Sequence, residues 1–103
     1  MNFGIIIPAY NEEKSIVLTL QSLVNQSFVP YQIIVVDDGS TDNTAQLVSE
    51  MAAQHPQIQL VQRKEKGEHQ PGAKIVQTFN FGLPYLKKEV DVICKYDADL
   101  VFP

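Results

Sequence analysis

An α/β fold, with a mainly parallel sheet of about four strands flanked by helices, is predicted by three observations. Short apolar runs of strand length recur along the chain, helical patterns separate them, and the leading runs close on Pro, Gly or acidic residues. Strand and helix in alternation favour parallel strands joined by right-handed crossovers, which gives a Rossmann-like three-layer sandwich. Ligands of such sheets bind beyond the carboxyl ends of the strands. The loops that follow the strands are therefore where chemistry is expected.

The elements read in order as follows. Residues 3–7 form an apolar strand ended by Pro8, and residues 32–36 form a second, closed by Asp37-Asp38-Gly39; both have the continuous apolar character of strands buried on two faces. Between them Ile16, Leu20, Leu23 and Val24 recur at helical spacing after Asn11-Glu12-Glu13. There Asn11 is expected to cap and the glutamates suit the positive helix end. A second helix is expected over residues 41–54, with Ser40, Thr41 or Asp42 as cap, Ala45, Val48 and Ala52 inward, and Pro56 beyond its end. Residues 58–61 and 90–96 are weaker strands. The polar stretch 63–72 is a mobile loop or a lid. A third helix over 73–83 runs through Val76, Phe79 and Leu83, and Pro84 should break or kink it, leaving 85–88 as a separate turn.

Totals bound the function. A chain of 103 residues suits one domain over 1–103, and no apolar stretch reaches the roughly 18 residues of a membrane span. The start lacks the basic residues and cleavage site of a signal peptide, so the expected compartment is the cytoplasm. Cys94, the single cysteine, has no internal disulfide partner and reads as a small buried hydrophobe. A net charge of −4 argues against nucleic acid as a partner. An anionic ligand would need help, most simply from a metal ion.

Set on one sheet edge, the strand ends gather Pro8-Ala9-Tyr10-Asn11-Glu12-Glu13, then Asp37-Asp38-Gly39-Ser40-Thr41-Asp42, then Asp97-Ala98-Asp99. Each has an ordinary explanation: a helix start, a strand-to-helix turn, a solvated loop. Together they are harder to dismiss, because carboxylates crowded without a cation or donors repel and shift one another's pKa. Mg²⁺ or Mn²⁺ takes oxygen ligands and keeps part of its shell for substrate phosphates. Two aspartates one residue apart can divide labour between a metal and a sugar diol, and Asp38 could accept a base or ribose donor. The pattern suggests a nucleoside diphosphate compound bound through a metal.

At this point "IIIPAYNEEKSI", "IIVVDDGSTDNT" and "DVICKYDADL" carry a resemblance across nearly the whole chain. The sequence resembles the nucleotide-binding half of an inverting glycosyltransferase of family 2, with the GT-A fold. The resemblance implies a nucleoside pocket lined by Pro8, Ala9, Tyr10 and Glu12, with Asp38 accepting a hydrogen bond from the base, commonly uracil N3. Asp97-Ala98-Asp99 matches the family's DxD motif. Asp97 is then expected near ribose or pyrophosphate and beside the metal, and Asp99 at the metal itself, whose charge stabilises the departing nucleoside diphosphate.

The sequence departs from the family between Gly67 and Gly82, where many relatives carry a compact Gly/Asn-rich stretch. Gly72, Lys74, Asn80 and Gly82 are the candidate matches. Lys74 is a possible phosphate contact, with a helix-surface lysine as the plainer reading, and His69 reads as a loop residue. The larger departure is the ending at Pro103. In the family the acceptor half and catalytic base lie well past the DxD motif, so the base stays unassigned and the chain reads as the N-terminal, donor-binding portion of a longer enzyme.

The expected donor is a nucleotide-diphosphate sugar, with a UDP-sugar first. The acceptor would be a carbohydrate, lipid or protein, as in cell-wall or polysaccharide biosynthesis at the cytoplasmic face of a membrane. Bare sheet edges and apolar patches would favour self-association.

Three other readings compete. A phospho-receiver module would use Asp97 as phosphate acceptor with Asp37 and Asp38 on Mg²⁺, but such modules place the carboxylate pair after the first strand and need a later lysine. A sugar nucleotidylyltransferase would open with a Gly-rich basic loop that "PAYNEE" lacks. The third is a non-catalytic interaction domain.

Overall fold

The computed structural model describes residues 2–27, 29–63 and 78–96. Four strands, β1 (Phe3–Ala9), β2 (Gln32–Asp37), β3 (Ile58–Gln62) and β4 (Val92–Lys95), form one sheet in the order β3-β2-β1-β4. Every pair is parallel. Two helices, α1 (Ile16–Val24) and α2 (Thr44–Gln54), connect the first three strands. The order reverses after β3, because β4 returns to the far side of β1.

Alternation along each strand builds two cores. Ile5, Ile7, Ala9, Ile33, Val35 and Ile58 join Ile16, Leu20 and Leu23 of α1 and Val48 and Met51 of α2 on one face. Ile6, Ile34, Val36 and Val61 form the other core, covered by Phe79, Leu83 and Leu86. Continuous apolar runs in β1 and β2 thus reflect burial on both faces. Gly82 sits where the covering segment meets the sheet, and a Cβ there would lie 2.9 Å from Val36 Cγ2 and 3.1 Å from Ile6 Cγ2.

Several element boundaries differ from the expected ones, each for a physical reason. β1 continues through Pro8 to Ala9. The Ile6 carbonyl accepts the Tyr96 N–H at 3.0 Å on the β4 side, and Pro8, two residues on, turns its missing N–H to that same side. Among the described residues the β1–β4 register runs from Phe3↔Val92 to Ile6↔Lys95, so the proline interrupts none of the described rungs. The β2 ladder meanwhile runs on to Ala9↔Asp37. β4 is also shorter than the predicted 90–96.

Helix α1 starts at Ile16 with Ser15 at the cap position and no side-chain cap, so Asn11 is not its cap. Helix α2 starts at Thr44 rather than near 41, with Asn43 at the cap position, and Thr44 and Met51 join Val48 as its buried residues. The expected third helix is described only over 78–82, and Pro84 is accommodated in a 3₁₀ turn, Leu83–Tyr85, rather than preceding a separate turn at 85–88. Proline fits there because the first residues of a helix have no intrahelical use for their N–H groups. Among the described residues, no helix is long and apolar enough to cross a membrane.

Candidate nucleotide site

The site forms where the loops after β1, β2 and β3 meet at the carboxyl edge. The Asp38 N–H donates to the Ala9 carbonyl at 2.9 Å and the Arg63 N–H to the Asp37 carbonyl at 2.8 Å, which carries the sheet one step past its regular strands. Among the described residues β4 pairs with β1 from Phe3↔Val92 to Ile6↔Lys95, and the Tyr96 N–H adds a bond to the Ile6 carbonyl. Ligands of such sheets bind beyond the carboxyl ends of the strands where the strand order reverses, which here is between β1 and β4.

The loop after β1 is tied to the loop after β2 by side chains from both. Asn11 has φ 53°, a left-handed conformation that asparagine tolerates better than most residues. Its N–H donates to Ser40 Oγ at 2.9 Å, and its Oδ1 accepts the Thr41 N–H at 2.8 Å. Thr44, fully buried, accepts the Glu12 N–H on Oγ1 at 2.8 Å and donates its own proton to Asp42 Oδ1. Asp42 Oδ2 accepts the Glu13 N–H at 3.3 Å, and Glu13 Oε1 accepts the Asn43 N–H at 3.1 Å. Gly39, at φ 77°, supplies the turn that redirects the second loop.

This network revises the meaning of the acidic cluster. Asp37 is buried and accepts the Ser40 N–H at 3.3 Å, while Asp42 and Glu13 accept loop amides. Desolvation pushes the Asp42 carboxyl up, but the hydroxyl and N–H of Thr44 and the Glu13 N–H together hold it below the usual carboxylate range. These three carboxylates hold the loops in shape. Among the described residues no three His, Cys, Asp or Glu side chains are grouped to hold a metal ion.

Asp38 is set apart from them. Its side chain is 4% exposed. Arg63 Nη1 lies 3.4 Å from Oδ1, and Thr78 donates to Oδ2 at 3.0 Å. Arg63 Nη1 also donates to Thr78 Oγ1 at 3.1 Å. Neither Arg63 nor Thr78 was singled out by sequence; the available signal, for Arg63, was a cation two residues past an apolar run, at the same edge as Asp38.

Of the other predicted residues, Pro8 and Ala9 end β1, Glu12 is half-buried at the loop junction, and Tyr10 stands 44% exposed at the edge. Pro8, Ala9, Tyr10, Glu12 and Asp38 therefore share one edge. Tyr96 packs against the α1 core, and burial raises its phenol pKa. Lys74, Asp97 and Asp99, with His69 and Gly72, lie outside the described residues.

With this geometry in place, comparison with known proteins is specific. The family model described as Glycosyl transferase family 2 matches residues 4–103. An undecaprenyl-phosphate 4-deoxy-4-formamido-L-arabinose transferase of Yersinia enterocolitica is 35% identical over 109 residues, covering 97% of this chain and 29% of that protein. The mannosyltransferase PcManGT of Pyrobaculum calidifontis, solved with GDP-Man and Mn²⁺, superposes with a TM-score of 0.79 at 28% identity, over 99% of this chain and 28% of that one. S. aureus TarS 1-349, solved with UDP-GlcNAc, superposes with a TM-score of 0.75 at 29% identity, over 96% and 27%.

The chain spans between 9% and 30% of the length of the curated relatives it matches. The sheet order, the parallel pairing and these neighbours identify a GT-A fold, and the family match disfavours the phospho-receiver and nucleotidylyltransferase readings. The chain belongs to glycosyl transferase family 2.

Proposed function

We propose that this chain holds the nucleotide of a nucleoside-diphosphate sugar, a UDP-sugar first among them, as the N-terminal donor-binding portion of a longer glycosyltransferase. The observation that carries the reading is the meeting of Pro8–Glu12 with Asp38 at the carboxyl edge of the sheet, beside the point where strand order reverses. Asp38 is an anchored acceptor suited to a base N–H, and Tyr10 stands exposed at the same sheet edge. Support also comes from the neighbours solved with UDP-GlcNAc and GDP-Man. That the chain covers under a third of its curated relatives supports a longer enzyme, with the catalytic base elsewhere.

The remaining parts of the reading concern the diphosphate. Asp97 and Asp99 supply hard carboxylate oxygens suited to Mg²⁺ or Mn²⁺, and Asp99 is the ligand proposed, with Asp97 between metal and sugar-nucleotide. Bound there, the cation would neutralise charge on the leaving nucleoside diphosphate. Lys74 is a proposed phosphate contact. The whole enzyme would transfer the sugar with inversion to a carbohydrate, lipid or protein hydroxyl, working at the cytoplasmic face of a membrane.

Calorimetry tests this. UDP should bind in the presence of Mn²⁺, bind more weakly with chelator, and lose the metal-dependent part in Asp99→Ala. Equal affinity with and without chelator would remove the metal role, and no binding at millimolar UDP would remove the donor-site reading.

A further inference from the structure

Asp38, Arg63 and Thr78 come from three separate parts of the fold and close a ring of contacts. Arg63 follows β3, Asp38 follows β2, and Thr78 begins the described part of the segment that crosses the opposite face. A hydroxyl has one proton to give. Because Thr78 Oγ1 accepts from Arg63 Nη1 at 3.1 Å and donates to Asp38 Oδ2 at 3.0 Å, that proton is committed to the carboxylate. The guanidinium only donates, so the ring runs in one sense, from Arg63 through Thr78 to Asp38. A carboxylate has about four acceptor directions, of which the Arg63 and Thr78 contacts take two.

We propose that Arg63 and Thr78 are positioning residues that lock Asp38 as a hydrogen-bond acceptor, and so give the site its preference for a nucleobase presenting a ring N–H. Uracil presents such an N–H at N3, whereas the isosteric cytosine presents a lone pair, which a fixed carboxylate repels. This rests on the reading of residues 8–12 and Asp38 as a nucleoside pocket. Without Thr78 the carboxylate would lose one anchoring hydrogen bond, and without Arg63 an ion-pair contact; either change loosens the acceptor and blunts the discrimination. A purely structural role would weaken all nucleotides alike.

The experiment is calorimetry of UDP and CDP, each with Mn²⁺, against the wild-type chain, Thr78→Val, Thr78→Ser and Arg63→Met, with circular dichroism to select folded variants. The expected wild-type preference for UDP is roughly tenfold or more, the scale on which a polar site rejects a ligand that leaves its group unpaired. Thr78→Val and Arg63→Met should narrow it to about threefold or less, and Thr78→Ser, which keeps the hydroxyl, should retain it. Binding with the wild-type ratio in both Thr78→Val and Arg63→Met overturns the inference alone. A wild-type chain that binds neither nucleotide overturns the nucleoside-pocket reading and the inference with it. Should Arg63→Met fail to fold, Thr78→Val, nearly isosteric, still decides.

Discussion

Asn11 Oδ1 accepts the Thr41 backbone N–H at 2.8 Å, joining the loop after the first strand to the loop after the second across 30 residues of sequence. The bond depends on the left-handed backbone of Asn11, φ 53°, so conformation and side chain contribute separately. Asn11→Gly keeps the backbone accessible and loses only the side-chain bonds, costing about 0.5–1 kcal/mol at this exposed position. Asn11→Ala adds backbone strain and should cost about 1–2 kcal/mol. Urea unfolding of the two variants separates the terms; equal midpoints would mean that the backbone conformation contributes nothing.

Thr44 links the same loops from beneath. Its buried hydroxyl accepts the Glu12 N–H and donates to Asp42. Thr44→Val keeps the shape but leaves a part-buried amide without its acceptor, a loss of about 1–3 kcal/mol. Thr44→Ser should recover most of it. If the valine variant is as stable as wild type by thermal unfolding, the junction between the loops does not rest on this hydroxyl.

Asp42 predicts a pH signature. Its carboxyl titrates below the ordinary value when folded, since the hydrogen bonds of Thr44 and Glu13 outweigh desolvation. A depressed folded pKa stabilises the protein above the unfolded value, near 4, and the contribution is lost as pH falls through the folded value. Asp42→Asn should therefore unfold at lower urea than wild type at pH 7, with the gap closing below about pH 4. A gap independent of pH would show that charge on Asp42 is not what the loop amides stabilise.

Gly82 marks the tightest contact between the covering segment and the sheet. A methyl group there would sit 2.9 Å from Val36 and 3.1 Å from Ile6, both fully buried on central strands with little room to yield. Gly82→Ala should cost about 1–3 kcal/mol by overpacking, despite the gain in helix propensity. Chemical denaturation measures it, and a neutral or stabilised variant would mean that the segment can lift from the sheet freely.

How much of this could be read from the sequence depended on how local each feature is. Ile33-Ile34-Val35-Val36 announces a strand buried on both faces, and Ile16, Leu20 and Leu23 announce a helix face, because the periodicity lies within one element. Placing Pro8, Ala9, Tyr10, Glu12 and Asp38 at one edge followed from the parallel topology and needed no side-chain detail. The roles of Asn11, Asp42 and Glu13 were less legible. Read alone, Asn11 is a helix cap, and only the parallel register of β1 and β2 brings it to Thr41 instead. The Arg63 and Thr78 contacts with Asp38, 25 and 40 residues away in sequence, were hidden for the same reason. Pro8 misled because its cost depends on which neighbour its missing N–H faces.

The central claim is that residues 8–12 and Asp38 form the nucleoside pocket, and an amide-resolved NMR titration of the chain with UDP and Mg²⁺ tests it most directly. The account predicts saturable shifts concentrated at Ala9, Tyr10, Glu12, Asp38 and Gly39, with α1 and the outer turns of α2 unmoved. Shifts absent at millimolar UDP, or gathered on the α1 and α2 face, would contradict it.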